Sequence, residues 1–415
     1  MNREKLRDLT INITDGEHGT VKDDPKAFYY LLSNKNIVNG NISVSSADRR
    51  ISKASFEKIG NRTKLSKNDI VIATVGTIGK TAIIRDEIIN YDFQRSVGII
   101  KCNIKKLIPE YLYYYFCLPY VQKQLTNRVN RSVQKCLYIG DLENLDVDYD
   151  EIRIQQKIAA VLSALDAKIE LNNRINTELE AISKTIYDYW FVQFDFPDKN
   201  GRPYKSRGGK MIWNGELKRE IPERWDVTDL GDFEKKIITG KTPPKTHPEY
   251  FNGKIPFITI GDIRGNMHVV ETEETLSKLG ADYQNSKYIN KGAICVTCIA
   301  SPGLVGFASE LSQTNQQINS VECEKEENRY YLYFAIKDFF IFSKAKMGNT
   351  FANMNKDDFS SIRIIKPDED IIKKYMSSVK SSFELILNNS LENKKLSEIR
   401  DWLLPTLMNG QVKVA

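Results

Sequence analysis

The chain has 415 residues, 41% of them apolar and 27% charged. That length exceeds one ordinary core, and the composition excludes a disordered chain. Lys and Arg outnumber Asp and Glu by 60 to 54, an excess that permits nucleic-acid binding without arguing for it. No apolar run approaches the roughly 18–20 residues of a membrane span, and six irregularly spaced cysteines do not suggest a disulfide framework.

The opening "MNREKLRDLT" has no apolar export segment, so a cytoplasmic protein is expected. Residues 1–150 mix short β-branched and aromatic runs with Gly, Pro, Asn and Asp punctuation, which predicts a mainly β domain with one or two short helices. Residues 151–193 form a long helix, and 194–222, dense in Gly, Pro and Lys, read as an extended linker. A second mainly β domain is expected over 223–366 and a second long helix over 367–415, ended by Pro405.

The chain is written twice. "LRDLTINITDGEHGT" answers to "LGDFEKKIITGKTPPK", "KLSKNDIVIATVGTIGKTAII" to "YINKGAICVTCIASPGLVGFA", and "YDFQRSVGII" to "TNQQINSVEC". Ile154 and Ile371 open the two long helices, about 217 residues apart. This is domain duplication, giving an α+β chain of two β domains and two helices.

Both helices carry an asparagine pair inside an apolar stripe: Asn172 and Asn173, Asn388 and Asn389. Antiparallel pairing with Asn172 opposite Asn389 sets Ile158 against Leu403, Leu162 against Ile399 and Ile182 against Val379. A buried polar layer weakens a coiled coil but fixes its register. The expected result is a spacer roughly 60 Å long, with approximate two-fold symmetry.

Catalytic patterns are weak. "GTIGKT" at 76–81 lacks the upstream glycine of a phosphate-binding loop and is followed by a strand-like "AII", so a hairpin turn is expected. Cys295 and Cys298 lie in a strand-like run where residues three apart face opposite sides, so no metal is expected. Asp198 and Glu216 only loosely imitate a nuclease motif. No Asn/Asp-Pro-Pro-aromatic segment for adenine methylation occurs.

Taken together, the "DGEHGT" and "VGTIGK" loops, the helix "QQKIAAVLSALDAKIELNNRINTELEAISKTIYDYWF", the joint "DFPDKNGRPYKSRGGKM", "REIPERW" and the terminal "LENKKLSEIRDWLLPTLMNGQVKV" resemble the specificity subunit of type I restriction-modification enzymes. The resemblance covers essentially the whole chain. It implies a non-catalytic subunit whose two target-recognition domains read a bipartite, asymmetric double-stranded DNA target. It further implies docking of two modification (methyltransferase) subunits and two restriction (motor and nuclease) subunits. S-adenosylmethionine, ATP and Mg would then reside on those partners, none on this chain. A non-enzymatic coiled-coil scaffold whose β domains bind protein or RNA is the alternative.

Base reading needs Arg, Lys, Asn or Gln on converging loops. In the first half the candidates are His18, Thr20, Lys22, Lys80, Arg95, Arg128, Asn130, Arg131, Ser132, Gln134 and Lys135. In the second they are Lys241, Thr242, Lys245, His247, Lys344, Lys346, Asn349 and Thr350. Gln94 and Gln316, taken as matching positions, are expected to be buried against loop backbone. Tyr187, Tyr189, Trp190, Phe191, Trp402, Leu403, Leu404 and Leu407 are candidates for a subunit interface or, equally, for closing the helices against the adjacent domain.

Overall fold

A computed structural model describes residues 2–87, 89–129, 136–347 and 353–412, the side chains of 344–347 excepted. The chain divides into two compact units, one of residues 1–167 with 396–415 and the other of 168–395. The central helix, Ile152–Tyr187, and the C-terminal helix, Glu369–Met408, each contribute to both. Among the described residues, no helix is long and apolar enough to cross a membrane.

In the first unit an antiparallel sheet runs in the order Thr10–Asp15, Val97–Cys102, Ile70–Ala73, Thr81–Ile83. A smaller sheet places Tyr29–Leu32 between Arg50–Ile51 and Tyr91–Phe93, parallel to the last. Strands Asn2–Lys5 and Asp146–Tyr149 close the base. Ile70–Ala73 is buried along its whole length because both faces are covered. Helices Pro109–Cys117 and Pro119–Val129 pack their apolar sides on one face of this sheet.

The second unit repeats the plan. Its main sheet runs Lys236–Thr239, Ile318–Glu322, Ile294–Thr297, Val305–Ala308, His268–Val269. The smaller sheet sets Phe251–Ile258 between Glu274–Leu276 and Gln313–Thr314. Asp226–Asp229 pairs with Arg363–Lys366 as Asn2–Lys5 pairs with Asp146–Tyr149. One element departs from the expected short helices: Glu326–Met347 has 22 residues. Its Tyr331, Tyr333, Phe334 and Ile336 are buried in a large aromatic core.

The segment 194–222 is not an extended linker. Phe194, Phe196 and Ile221 are buried with Trp225, and Met211–Asn214 pairs with Arg219–Pro222 as a hairpin. Apolar burial outweighs the Gly- and Lys-rich composition, and Arg219 seals the join by lying over the Phe194 ring at 4.5 Å. Asp198 is occupied by the amides of Asn200 and Arg202 in its own turn, and Glu216 by Arg363.

The two helices run antiparallel, but one turn out of the expected register. Within the second unit Asn172 Nδ2 donates to Asn393 Oδ1 at 2.9 Å and to Glu392 at 2.7 Å, while Asn389 donates to Asn176 at 2.8 Å. Asn172 therefore faces Asn393, not Asn389. Asn173 and Asn388 lie exposed, although Asn173 still accepts from Asn393 at 2.8 Å. In the first unit Arg400 bonds Asp166 at 2.8 Å, near Ile158 and Leu162 buried with Leu404, Leu407 and Met408. Ile182 (53% exposed) and Ile399 (47%) face outward, so two residues assigned to the apolar seam do not belong to it. An amide layer has several near-equivalent registers, and a one-turn slip keeps asparagine opposite asparagine. Pro405 also fails to end its helix, which continues to Met408. The hydroxyl of Thr406 bonds the carbonyls of Trp402 and Leu403 beside the missing amide.

Candidate nucleic-acid interface

In each unit, five pieces of chain are tied together by the same backbone hydrogen bonds. Gly16 N–H donates to Val97 O at 3.1 Å, as Gly240 does to Ile318 O at 3.1 Å. Glu17 donates to Phe93 O and Lys241 to Thr314 O. Gln94 donates to Leu32 O, Asn315 to Ile258 O; Thr74 to Ser96 O, Cys298 to Gln317 O; Leu137 to Thr74 O, Met354 to Cys298 O. A turn closes each tip, Val97 N–H to Gln94 O and Ile318 N–H to Asn315 O.

These bonds fix the equivalences residue by residue. Gly16 matches Gly240, Gln94 matches Asn315, and Arg95 matches Gln316. The expected pairing of Gln94 with Gln316 is thus off by one. Gln316 is exposed rather than buried, and its Oε1 accepts from Thr242 Oγ1 at 2.6 Å. The glycines are required by close approach: a Cβ would lie 2.1 Å from Phe93 O at Gly16 and 2.2 Å from Asn315 O at Gly240.

Buried polar groups hold each tip on the smaller sheet. Asp92, whose carboxyl burial raises, accepts from Thr63 Oγ1 at 2.6 Å, and Arg62 of the same helix bonds Gly16 O. The position matching Asp92 is Gln313, fully buried; it donates to Ala281 O at 2.8 Å and accepts from Gln284, which also bonds Lys241 O. Sequence reading missed Arg62, Asp92, Gln284 and Gln313. The available signal was polar residues at matching places inside apolar runs.

His18, Thr20, Lys22, Lys80 and Arg95 are all exposed, His18 bonding Asp15 at 2.6 Å. Lys80 follows the hairpin turn at Gly76 and Gly79, both with positive φ. In the second unit the matching turn keeps positive φ at Ala300 and Gly303, while Gly306 lies within strand Val305–Ala308. Lys241 is exposed, and Thr242 is half-buried against Gln316. Lys245 pairs with Glu274 at 3.1 Å, a solvated contact that leaves it available. His247 stacks on Tyr250, and Tyr250 on the exposed Tyr283, with Lys241 5.9 Å above that ring.

Arg128 is a correction. Its guanidinium donates to Asp141 O and Asn144 O, both at 3.1 Å, closing the carbonyl end of helix Ile139–Glu143. Asn130, Arg131, Ser132, Gln134, Lys135, Asn349 and Thr350 lie outside the described residues, as do the side chains of Lys344 and Lys346. The backbone beside both gaps is tied to the tips, through bridges Val75 to Cys136 and Ile299 to Asn353.

Most of the aromatic and leucine interface candidates are core. Tyr187, Trp190 and Phe191 are buried among Tyr331, Phe334 and Tyr375, and Leu404 and Leu407 are buried in the first unit with Leu403 against them. Rings of this size are worth more packed together than presented to solvent. Tyr189 (38% exposed) and Trp402 (64%) remain on the surface. Cys295, within strand Ile294–Thr297, and Cys298, one residue past its end, enter different core clusters.

Residues 29–181 and 222–400 match the type I restriction modification DNA specificity domain. The chain is 30% identical over 403 residues to the HindI specificity subunit of Haemophilus influenzae, covering 84% of this chain and 87% of that one. It is 28% identical over 383 residues to the MjaIX specificity subunit of Methanocaldococcus jannaschii, covering 90% and 84%. Among solved structures, a type I restriction-modification S subunit from M. genitalium aligns over 98% of this chain and 95% of its own, with TM-score 0.56 and 15% identity. That last likeness concerns the fold.

Proposed function

The chain belongs to the type I restriction-modification DNA specificity family, whose members recognise DNA sequence without catalysing its modification, and from that premise we propose that each unit reads one half of a split double-stranded target through the tip described above. The observation that carries this is a shared backbone framework presenting unlike side chains: Arg95 where the second unit has Gln316, and His18 where it has Thr242. Identical frames with different hydrogen-bonding groups suit two different half-sites rather than a palindrome. Cations around each tip (Lys22, Lys80, Lys241, Lys245) would hold phosphates and make binding salt-sensitive.

The chain serves as the recognition part of a larger assembly. Two modification subunits, carrying S-adenosylmethionine, would supply adenine methylation, and two restriction subunits, using ATP and Mg, would supply cleavage. Exposed Tyr189 and Trp402, and the outward-facing Ile182 and Ile399, are the helix residues that suit such docking. The antiparallel helices would act as the spacer between half-sites, in the cytoplasm where the DNA lies.

Methylome sequencing of cells carrying this chain with its modification subunit tests the reading. A split, asymmetric adenine motif is expected, with no methylation by the chain alone. Absence of any split motif would refute it and favour a protein- or RNA-binding scaffold.

A further inference from the structure

We propose that the second residue of the tip turn is a base-reading position in both units, Arg95 specifying guanine in one half-site and Gln316 specifying adenine in the other, with Thr242 as the positioning residue for Gln316. The proposal rests on the DNA-reading function above and adds which residues discriminate and which bases they select.

The geometry carries it in three steps. Arg95 and Gln316 occupy one structural position, fixed by matching backbone bonds on both sides of the turn. Both are exposed on a turn whose backbone is tied down: Arg95 N–H donates to Glu17 O at 3.0 Å and its carbonyl accepts from Thr74 Oγ1 at 3.3 Å. A side chain on such a mount can be aimed reproducibly, which base discrimination requires.

The end groups then decide the base. A guanidinium offers parallel donors that match guanine O6 and N7; a carboxamide offers one acceptor and one donor, matching adenine N6 and N7. A free glutamine amide can turn over and lose that distinction. Here Thr242 Oγ1 donates to Gln316 Oε1 at 2.6 Å, a bond that tethers the carboxamide at the turn with Nε2 pointing away from the hydroxyl. The second lone pair of Oε1 is left for the adenine amino group, and the Nε2 hydrogens for N7. Thr242 is itself held near the tip by Gly240 and by Lys241, whose carbonyl accepts from buried Gln284 at 2.7 Å.

The test uses the full chain with its modification subunit in cells free of other adenine methylation, read by methylome sequencing. Q316R should change one base pair of one half-site from A·T to G·C and leave the other half-site alone. R95Q should make the reverse change in the other half-site. Q316A and R95A should relax the same single positions, reducing discrimination there by roughly tenfold. T242V should keep the motif while loosening only the position read by Gln316, and T242S should restore it; a merely structural role would lower methylation without moving one base. Variants at 95 and 316 that all methylate the wild-type motif unchanged would overturn the proposal. So would loss of all methylation in every one of them, alanine included, since the two residues would then be framework. A wild-type chain with no split motif would instead sink the DNA-reading function itself.

Discussion

Replacing Asn172 by Asp changes one atom type in the helix pair and nothing in its shape. Asn172 is 1% exposed, and its Nδ2 donates to Glu392 Oε2 at 2.7 Å and Asn393 Oδ1 at 2.9 Å. In Asn172→Asp both donors become acceptors, so two hydrogen bonds turn into oxygen–oxygen contacts. Loss of the bond to Asn393 costs about 1 kcal/mol. The bond to Glu392 is lost as well, but that carboxylate is exposed and water replaces the amide there. Holding a carboxylate at a 1% exposed position adds a desolvation cost, so a total of about 2–4 kcal/mol at neutral pH is expected for the second unit. The new carboxyl would titrate above its unfolded value of about 3.9, so the charge-dependent part of the penalty is absent below that pH and grows as pH rises through the folded value; a protonated carboxyl offers one donor where the amide offered two, so recovery in acid is partial. Asn172→Leu behaves differently. Among the described residues Asn172 Oδ1 has no hydrogen-bond partner, so removing the amide also removes a desolvation cost, and stability should stay within about 1 kcal/mol of wild type. Urea titration followed by fluorescence of Trp190 and Trp225, both buried in this unit's core, reads the change. Asn388→Asp, on an exposed position, is the control. Equal midpoints for Asn172→Asp and Asn388→Asp at pH 7, or a loss that does not recover in acid, would refute the reasoning.

His268 is pushed down to about 4 by burial, aided by Arg329 and Lys291 and opposed by a bond to the Phe383 backbone. Its unfolded value is about 6.5, so the second unit should hold its full stability above that pH and lose about 3 kcal/mol as pH falls toward 4. Substitution H268F, stacking on Phe307 as the imidazole does at 5.2 Å, should flatten that dependence in urea titrations; an unchanged slope counts against it. Alanine at Gly16 or Gly240 drives a Cβ into backbone oxygen and should destabilise that tip by about 1–3 kcal/mol. G240A should degrade recognition of one half-site only, G16A of the other, as methylome sequencing of each variant can check. Four extra residues beside Asn173 and four beside Asn388 add about 6 Å to each helix. The unread gap in the target should then widen by about one to two base pairs; an unchanged gap would separate the helices from the spacing.

Duplication and its consequences were legible in the sequence because they are written as patterns: two β-rich blocks, two apolar stripes, glycines at matching turns. Glycine identity also carried over where the backbone demanded it, at Gly16 and Gly240 and in the hairpin at Gly76 and Gly79. Register was less legible. Asn172 pairs with Asn393 rather than Asn389, and a one-turn slip leaves the local amide pattern nearly unchanged, so the asparagine pattern alone does not choose between the two.

Sequence by itself determined the family, the repeated plan and the residue types available to read DNA. Tertiary structure alone decided which of those residues have free end groups. Arg128 is spent on two carbonyls, Tyr187 and Phe191 lie in an aromatic core, and Gln316 stands outside where burial was expected. It also aligned Arg95 with Gln316, which a comparison of letters placed one residue apart. The physical reason is that a side chain's role depends on which backbone groups and rings its neighbours bring to it. Those neighbours come from strands and helices distant along the chain, so no local pattern contains them.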